Sequence, residues 1–384
     1  MKRSTDRILT THCGSLARPK DLLDMMKAKV TGEPYDYDTY TRRVRSAVAE
    51  IVRKQVESGI DIPTDGEQGK PGFFTYVSER LTGFAPKPGA RFTLFAAEVA
   101  AFPEYYQQYF SQAMVGGSIA PMVPLVCTGP VSYRGQEAIQ RDLDNLKAAL
   151  EGVQPEEVFM PAIAPSGVGS NEYYRTEEEY LHAVAEAMHA EYQAIVEAGF
   201  IVQIDDPFLT DIYSDPSLNV AERRKRAELY VEALNHGLRG IPAEKVRFHT
   251  CYGINEGPRV HDAALKNVLD AMLKVDAGAY SFEAANARHE HEYHVWENVK
   301  LPVGKVLIPG VVTHASNIVE HPELIAERII RYAKLVGREN VIAGTDCGFS
   351  SQATYNPEVH PTVVWAKFQA MAEGARLATE QLWR

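Results

Sequence analysis

"VRFHTCYG", residues 246–253, opens as a β-branched and aromatic run and closes on polar residues and a glycine. Period-two alternation in such a run sends His249 and Cys251 to one face at its end, where both can address a single atom. Seven more runs of this shape occur: "ILTTHCGS", "IDIPTDGE", "VFMPAIAPSG", "FIVQIDDP", "GAYSFE", "KVLIPGVVTH" and "NVIAGTDCG". Between them, apolar positions three and four apart predict helices over 40–58, 137–150, 177–198, 219–237, 261–275, 321–336 and 362–381. Strands alternating with helices and ending in polar clusters predict an α/β fold of the (β/α)8 TIM-barrel kind, whose chemistry sits at the C-terminal strand ends. A doubly wound sheet is the rival, but neither G-x-G-x-x-G nor G-x-x-x-x-G-K-[ST] is present.

The chain's 384 residues fit one large barrel with additions, so 1–384 is expected to be a single domain. The segment from about 85 to 122, rich in Phe, Tyr and Ala, reads as an insertion packed on the barrel, and "PMVPLVCTGPVSY" after it as an added hairpin. Apolar residues at 45% and charged residues at 24% are ordinary for a globular chain. A net charge of -11 argues against nucleic acid, which requires a clustered basic face. No apolar run reaches the roughly 18 residues of a membrane span, and "MKRSTDRILTTHCGS" lacks the apolar stretch of a secretory signal, so a cytoplasmic location is expected.

Four cysteines scattered over the chain do not make a disulfide framework. Three ligand-type positions nevertheless join Cys251 at strand ends: His249 two residues before it, Glu283 closing "YSFE", and Cys347 in "GTDCG". An imidazole, two thiolates and a carboxylate in tetrahedral array suit zinc, whereas magnesium and calcium prefer all-oxygen sets. Other clusters carry less. "RHEHEYH" offers His289, His291 and His294 without H-E-x-x-H spacing and reads as a solvated charged loop. His12, beside Cys13, reads as structural, and Arg134 in "GPVSYRG" as a rim or surface charge.

"HTC", "SFE" and "TDCG", in that order and each at a strand end, resemble the zinc ligands of the catalytic barrel of the cobalamin-independent methionine synthase superfamily, which includes the epoxyalkane:coenzyme M transferases. "TTHCGS", "DGE", "QIDDP" and "PGVVTHASN" resemble further motifs of that barrel in the same order, so the similarity spans nearly the whole chain. The resemblance implies zinc-dependent transfer of a methyl or other alkyl group to a small thiol, homocysteine first. It implies that His249, Cys251 and Cys347 are permanent ligands and Glu283 an exchangeable one. It places Glu67 and Asp205 on the acceptor's ammonium, Ser15 on its carboxylate, and His314 beside the leaving group as a proton donor.

The departures concern the donor. The full-length family members carry a second, N-terminal barrel that helps hold the folate's polyglutamate tail, for which this length leaves no room. Where the family has a tryptophan for the pterin, the chain reads "APSGVGSNEYYRTEEE", with Asn171, Tyr173 and Tyr174 in that region. Methyltetrahydropteroyl triglutamate is therefore expected to be a poor donor, leaving a corrinoid protein, a simpler methyl donor or an epoxide. Alkyl transfer to coenzyme M is the enzymatic alternative, although its sulfonate would want Arg or Lys where Glu67 and Asp205 stand. A corrinoid-protein-binding module is the alternative of another class.

Overall fold

The computed structural model describes all residues except 88, 90–94, 114–116, 121, 254 and 255. Seven parallel strands run side by side: Leu9–Thr10, Ile342–Thr345, Val306–Val312, Ala279–Phe282, Val246–Thr250, Ile201–Asp205 and Phe159–Ile163. The ring is completed by residues 60–64. Thr11 bridges Ile62 in parallel, Ile62 donates its N–H to Thr10 O at 3.1 Å, and Phe159 donates to Pro63 O at 3.2 Å. This eighth run is the least regular because Pro63 has no N–H for the ladder and the Asp61 carboxylate takes the Thr10 N–H at 2.9 Å. The eight runs expected from the sequence thus form a (β/α)8 barrel.

Apolar side chains fill the bottom of the ring: Leu9, Ile62, Phe159, Ile201, Ala279, Val306, Ile308 and Ile342 form a core separate from the larger one between strands and helices. Polar residues lie above it. Arg247 stacks its guanidinium 3.9 Å from the Phe159 ring centroid and donates to Thr11 Oγ1 at 3.0 Å and His12 O at 2.8 Å. The register pairs Asp205 with His249 and His249 with Ser281, so three adjacent strands carry polar side chains at one level.

The outer helices include Tyr37–Glu57, Gln136–Ala149, Glu177–Glu197, Val220–Gly237, Leu265–Met272, Pro322–Val336 and Pro361–Leu382. The expected 261–275 helix begins late. Ala264 is extended, and the backbone before the helix is tied down by buried carboxylates: His261 N donates to Glu98 and Leu265 N to Glu292. Sequence periodicity also passed over Lys20–Thr31 and the one-to-three-turn helices Ala96–Ala101, Pro103–Gln112 and Phe208–Ser214. Phe84–Pro86, Leu125–Cys127 and Ser170–Asn171 form a small second sheet, antiparallel then parallel, at the feet of the expected insertion. Of that 85–122 segment, the parts at 88, 90–94, 114–116 and 121 lie outside the described residues. Among the described residues no helix is long and apolar enough to cross a membrane.

Candidate functional site

The C-terminal strand ends open into a cavity of about 810 Å³, and Ser15, Glu67, Asp205, His249, Cys251 and Cys347 all lie on its wall. His249 is fixed by its neighbours: Nδ1 lies 3.2 Å from Ser281 Oγ and 3.6 Å from Cys13 Sγ. Its other nitrogen, Nε2, is buried and has no hydrogen-bond partner among the described residues. Burial, followed by the charge of Arg247, lowers the His249 pKa to about 3, which keeps the ring neutral. One ring nitrogen held at its back and the other bare and neutral is the arrangement of an imidazole prepared to donate to a metal.

Ligand atoms of His249, Cys251 and Cys347 lie within 4.8 Å of one another. The Cys347 thiol is pushed well above its ordinary pKa, first by its hydrogen bond to Cys251 and then by removal from water. A cation between these side chains would reverse that balance, since metal coordination deprotonates a thiol outright. Zinc's preference for sulfur and nitrogen matches the three donors.

Glu283 is near by but is not one of that group. It groups with His314 and Asp346, whose ligand atoms also lie within 4.8 Å of one another, and all three are buried. Glu283 Oε1 accepts from Tyr252 N at 3.0 Å, while Oε2 accepts from Arg259 Nη2 at 2.7 Å and Asn286 Nδ2 at 2.8 Å. Neither Glu283 nor His314 is on the wall of the cavity. The structure therefore brings His249, Cys251 and Cys347 together and leaves the fourth expected ligand on an arginine.

Beside the thiols, two buried carboxylates face the cavity. Glu67 has φ 55° directly after Gly66 at φ 65°, a left-handed pair that turns its side chain inward. For a glutamate this conformation costs roughly 1–2 kcal/mol. It is held by Asp65, which accepts the Glu67 N–H at 2.9 Å, and by Arg18, which donates to Glu67 O at 2.9 Å. Glu67 Oε2 has no partner among the described residues. Asp205 accepts from Gln203 Nε2 at 2.7 Å, and its pKa is raised well above the usual carboxylate range by burial and then by Glu67. Burial raises that of Glu67 as well, against the pull of Lys70 and Arg18. Two like charges in one dry place call for a cation. Asp206, next along, is instead occupied locally: it accepts from Ser166 Oγ at 2.8 Å and Leu209 N at 3.0 Å.

Ser15 stands beside Cys347. A Cβ on Gly348 would lie 2.1 Å from Ser15 Oγ, so the glycine lets the two strand ends meet. Several neighbours were not singled out in the sequence. Cys13 lines the cavity and donates its S–H to Thr345 O at 3.1 Å. Gln203 Nε2 also donates to Cys13 O at 2.6 Å, crossing between strands to fix the loop after the first one. Ser281 could have been found, because it precedes Glu283 by two and shares its face. Arg259 offered no signal, standing in a loop eight residues past Cys251.

His12 is structural: burial lowers its pKa to about 4, Nε2 lies 2.7 Å from Gln55 Oε1, and Nδ1 accepts the Gly14 N–H. "RHEHEYH" is not wholly solvated as expected. His291 and His294 are exposed, but His289 is buried, stacked 3.9 Å from Tyr252 and held between Asp262 and Glu292. Burial alone would lower its pKa, yet those two hydrogen bonds hold it at about 9. Arg134 donates to Ser78 O on the surface.

Fold and site together define a (β/α)8-barrel enzyme with imidazole, thiols and acidic side chains at its catalytic mouth. The family profile "Cobalamin-independent synthase, Catalytic domain" matches residues 164–367, and the chain belongs to that family. A methionine synthase of Thermococcus kodakarensis is 23% identical over 98% of this chain and 94% of its own length. One of Saccharolobus solfataricus is 26% identical over 98% and 96%. A B12-independent methionine synthase from Shewanella, solved in complex with selenomethionine, superposes with TM-score 0.72 at 18% identity, covering 98% of this chain and 99% of that one.

Proposed function

We propose that residues 1–384 act as one catalytic unit that transfers a methyl group to the sulfur of homocysteine. The observation that carries this reading is the convergence on one cavity of the His249, Cys251 and Cys347 ligand atoms with the Glu67 and Asp205 carboxylates. Methionine synthases of similar full length support it.

In this reading His249, Cys251 and Cys347 hold zinc, with Glu283 as an exchangeable fourth ligand. The bare Nε2 of His249 and the donor set fit that ion. Bound there, zinc would lower the pKa of an arriving thiol and keep its sulfur nucleophilic at neutral pH. The chain's own residues do the rest. Glu67 and Asp205 take the acceptor's ammonium, Ser15 takes its carboxylate, and the narrow polar floor orients the sulfur toward the open cavity. His314, buried behind the wall, would turn toward the cavity to protonate a leaving group that needs a proton.

The donor is proposed not to be a polyglutamylated folate. Among the described residues on the cavity wall, Glu67, Asp205, Asp211 and Glu358 are acidic, while Glu79 is ion-paired to Lys29 and Lys87 to Glu172. A polyanionic tail would meet repulsion. No tryptophan is on the described wall, and Asn171, Tyr173 and Tyr174 shape their own turn: Asn171 Oδ1 accepts both tyrosine N–H groups, and Tyr174 OH accepts from Val131 N. Alkyl transfer to coenzyme M is disfavoured by the acidic acceptor side. A corrinoid protein remains the proposed macromolecular partner, and the cytoplasm the proposed location.

The test combines elemental analysis of the purified protein with assays using homocysteine as acceptor. Methylcobalamin, a small epoxide and methyltetrahydropteroyl triglutamate serve as donors. About one zinc per chain and turnover from a donor other than the folate support the reading. Efficient turnover with the folate would overturn its donor half, and heat of binding with coenzyme M but not homocysteine its acceptor half.

A further inference from the structure

We infer that Arg259 is a positioning residue that receives the Glu283 carboxylate whenever a thiol takes its place in the ligand set. The inference rests on the zinc reading above and deepens it. A zinc held by His249, Cys251, Cys347 and Glu283 would have to give up a ligand to take a further thiolate and keep its usual four. The displaced carboxylate is 2% exposed, and a buried charge left without a partner costs several kcal/mol.

The structure offers that charge a partner: Glu283 rests on Arg259. Arg259 is itself 2% exposed and has φ 55°, a strained conformation for a side chain other than glycine. The strain aims its guanidinium between two carboxylates: Nε donates to Asp262 Oδ2 and Nη2 to Glu283 Oε2, both at 2.7 Å. His289 Nε2 shares that Asp262 oxygen, at 3.0 Å, and His289 is held in turn by Glu292. Arg259 is thus held by Asp262 as well as by Glu283. Tyr252, next to Cys251, places its ring 5.6 Å from Arg259 and gives its N–H to Glu283 Oε1, so the cradle is built on the same loop as the thiol ligand.

This arrangement predicts effects of opposite sign on two ligands. Removing Arg259 strands Glu283 when it is off the metal, so Arg259→Met should hold zinc against a chelator at least as tightly as wild type. The same variant should bind homocysteine at least about tenfold more weakly, because the displaced carboxylate has lost its counter-charge. Arg259→Lys should recover part of the loss. In a Glu283→Gln background no charge is displaced, so adding Arg259→Met should change homocysteine affinity by less than about twofold.

The measurements are chelator competition, calorimetric titration with homocysteine, and thiol-dependent absorption of the cobalt-substituted protein, which reports sulfur ligation without turnover. Equal homocysteine affinity in wild type and Arg259→Met, both fully metallated, would overturn the proposal. So would an equal loss in the Glu283→Gln background, which would assign Arg259 to general support of the fold. Loss of zinc from Arg259→Met and Arg259→Lys alike would also overturn it. A wild-type chain that takes up no zinc would instead refute the site reading itself, and this inference with it.

Discussion

The two halves of the cavity are built in different ways. The acceptor half stands on strand ends, where His249, Asp205 and Ser281 are locked by ladder register. The opposite wall comes from the 84–125 excursion and nearby loops, where Phe95, Ile119, Met122 and Val123 present apolar surface. Strand-borne groups fix chemistry, because backbone hydrogen bonds on both sides set their positions. A loop-borne apolar wall fixes size and polarity, and it can change without disturbing the barrel.

The largest effect should come from attacking the acceptor half at its sulfur. Cys251→Ser and Cys347→Ser are each expected to reduce zinc from about one per chain to near none and to slow methyl transfer at least about a thousandfold, as loss of a metal's charge stabilisation would. Elemental analysis and single-turnover assays read the two effects. Full zinc retention by both variants would break the comparison at its root.

Next comes the carboxylate pair. Glu67→Gln should weaken homocysteine by roughly 1.5–3 kcal/mol, the range for a hydrogen bond to a charged group, and hardly affect a thiol lacking an amine. Titration calorimetry with both thiols separates an ammonium contact from a general disturbance.

Asp206→Asn probes what a buried carboxylate beside the acidic mouth costs the fold. Burial raises the Asp206 pKa from 3.8 to about 6, so the ionised form is penalised in the native state. A raised folded value means that its contribution to stability is fully present below about pH 4 and is lost as pH rises through about 6. The amide variant should therefore gain up to about 3 kcal/mol at pH 8, on a scale of about 1.4 kcal/mol per pKa unit, and nothing near pH 3.5. Denaturant melts at the two pH values test this.

The smallest effect belongs to the apolar wall. Phe95 stacks on Phe110, and its ring would touch a Cβ placed on Gly253. Phe95→Ala should reduce kcat/KM for the donor about tenfold, the worth of part of a buried aromatic side chain, and leave zinc content and homocysteine affinity unchanged. A matching fall in homocysteine affinity would show that the two walls are not separable.

Legibility in the sequence follows the same division. Period-two runs ending in polar residues exposed all eight barrel segments, even the one that Pro63 keeps from a regular ladder, because the pattern records burial and not hydrogen bonding. His249, Cys251 and Cys347 could be read because strand spacing alone puts their side chains at the mouth. Glu283 was placed among them by the same spacing, but its carboxylate is held by Arg259 and Asn286, and side-chain partners from remote loops leave no periodic trace. His289 was misjudged for a related reason: a charged neighbourhood looks solvated until Asp262 and Glu292 are seen to enclose it. The excursion's short helices were missed because one to three turns carry too few apolar repeats.

The ring is closed by Leu9 pairing with Ile342 and Thr10 with Ala343. The first strand can meet residues 60–64 early, but its other neighbour comes about 330 residues later, and such long-range pairing is intrinsically slow. Cys347 follows directly on that closing strand, and Cys13 N donates to Thr345 Oγ1 within the seam. Assembly of the full sulfur and nitrogen set thus coincides with the last step of barrel closure. Until then the thiols ride on unjoined segments of the chain, so under the zinc reading proposed above the ion would enter after closure and would not guide folding.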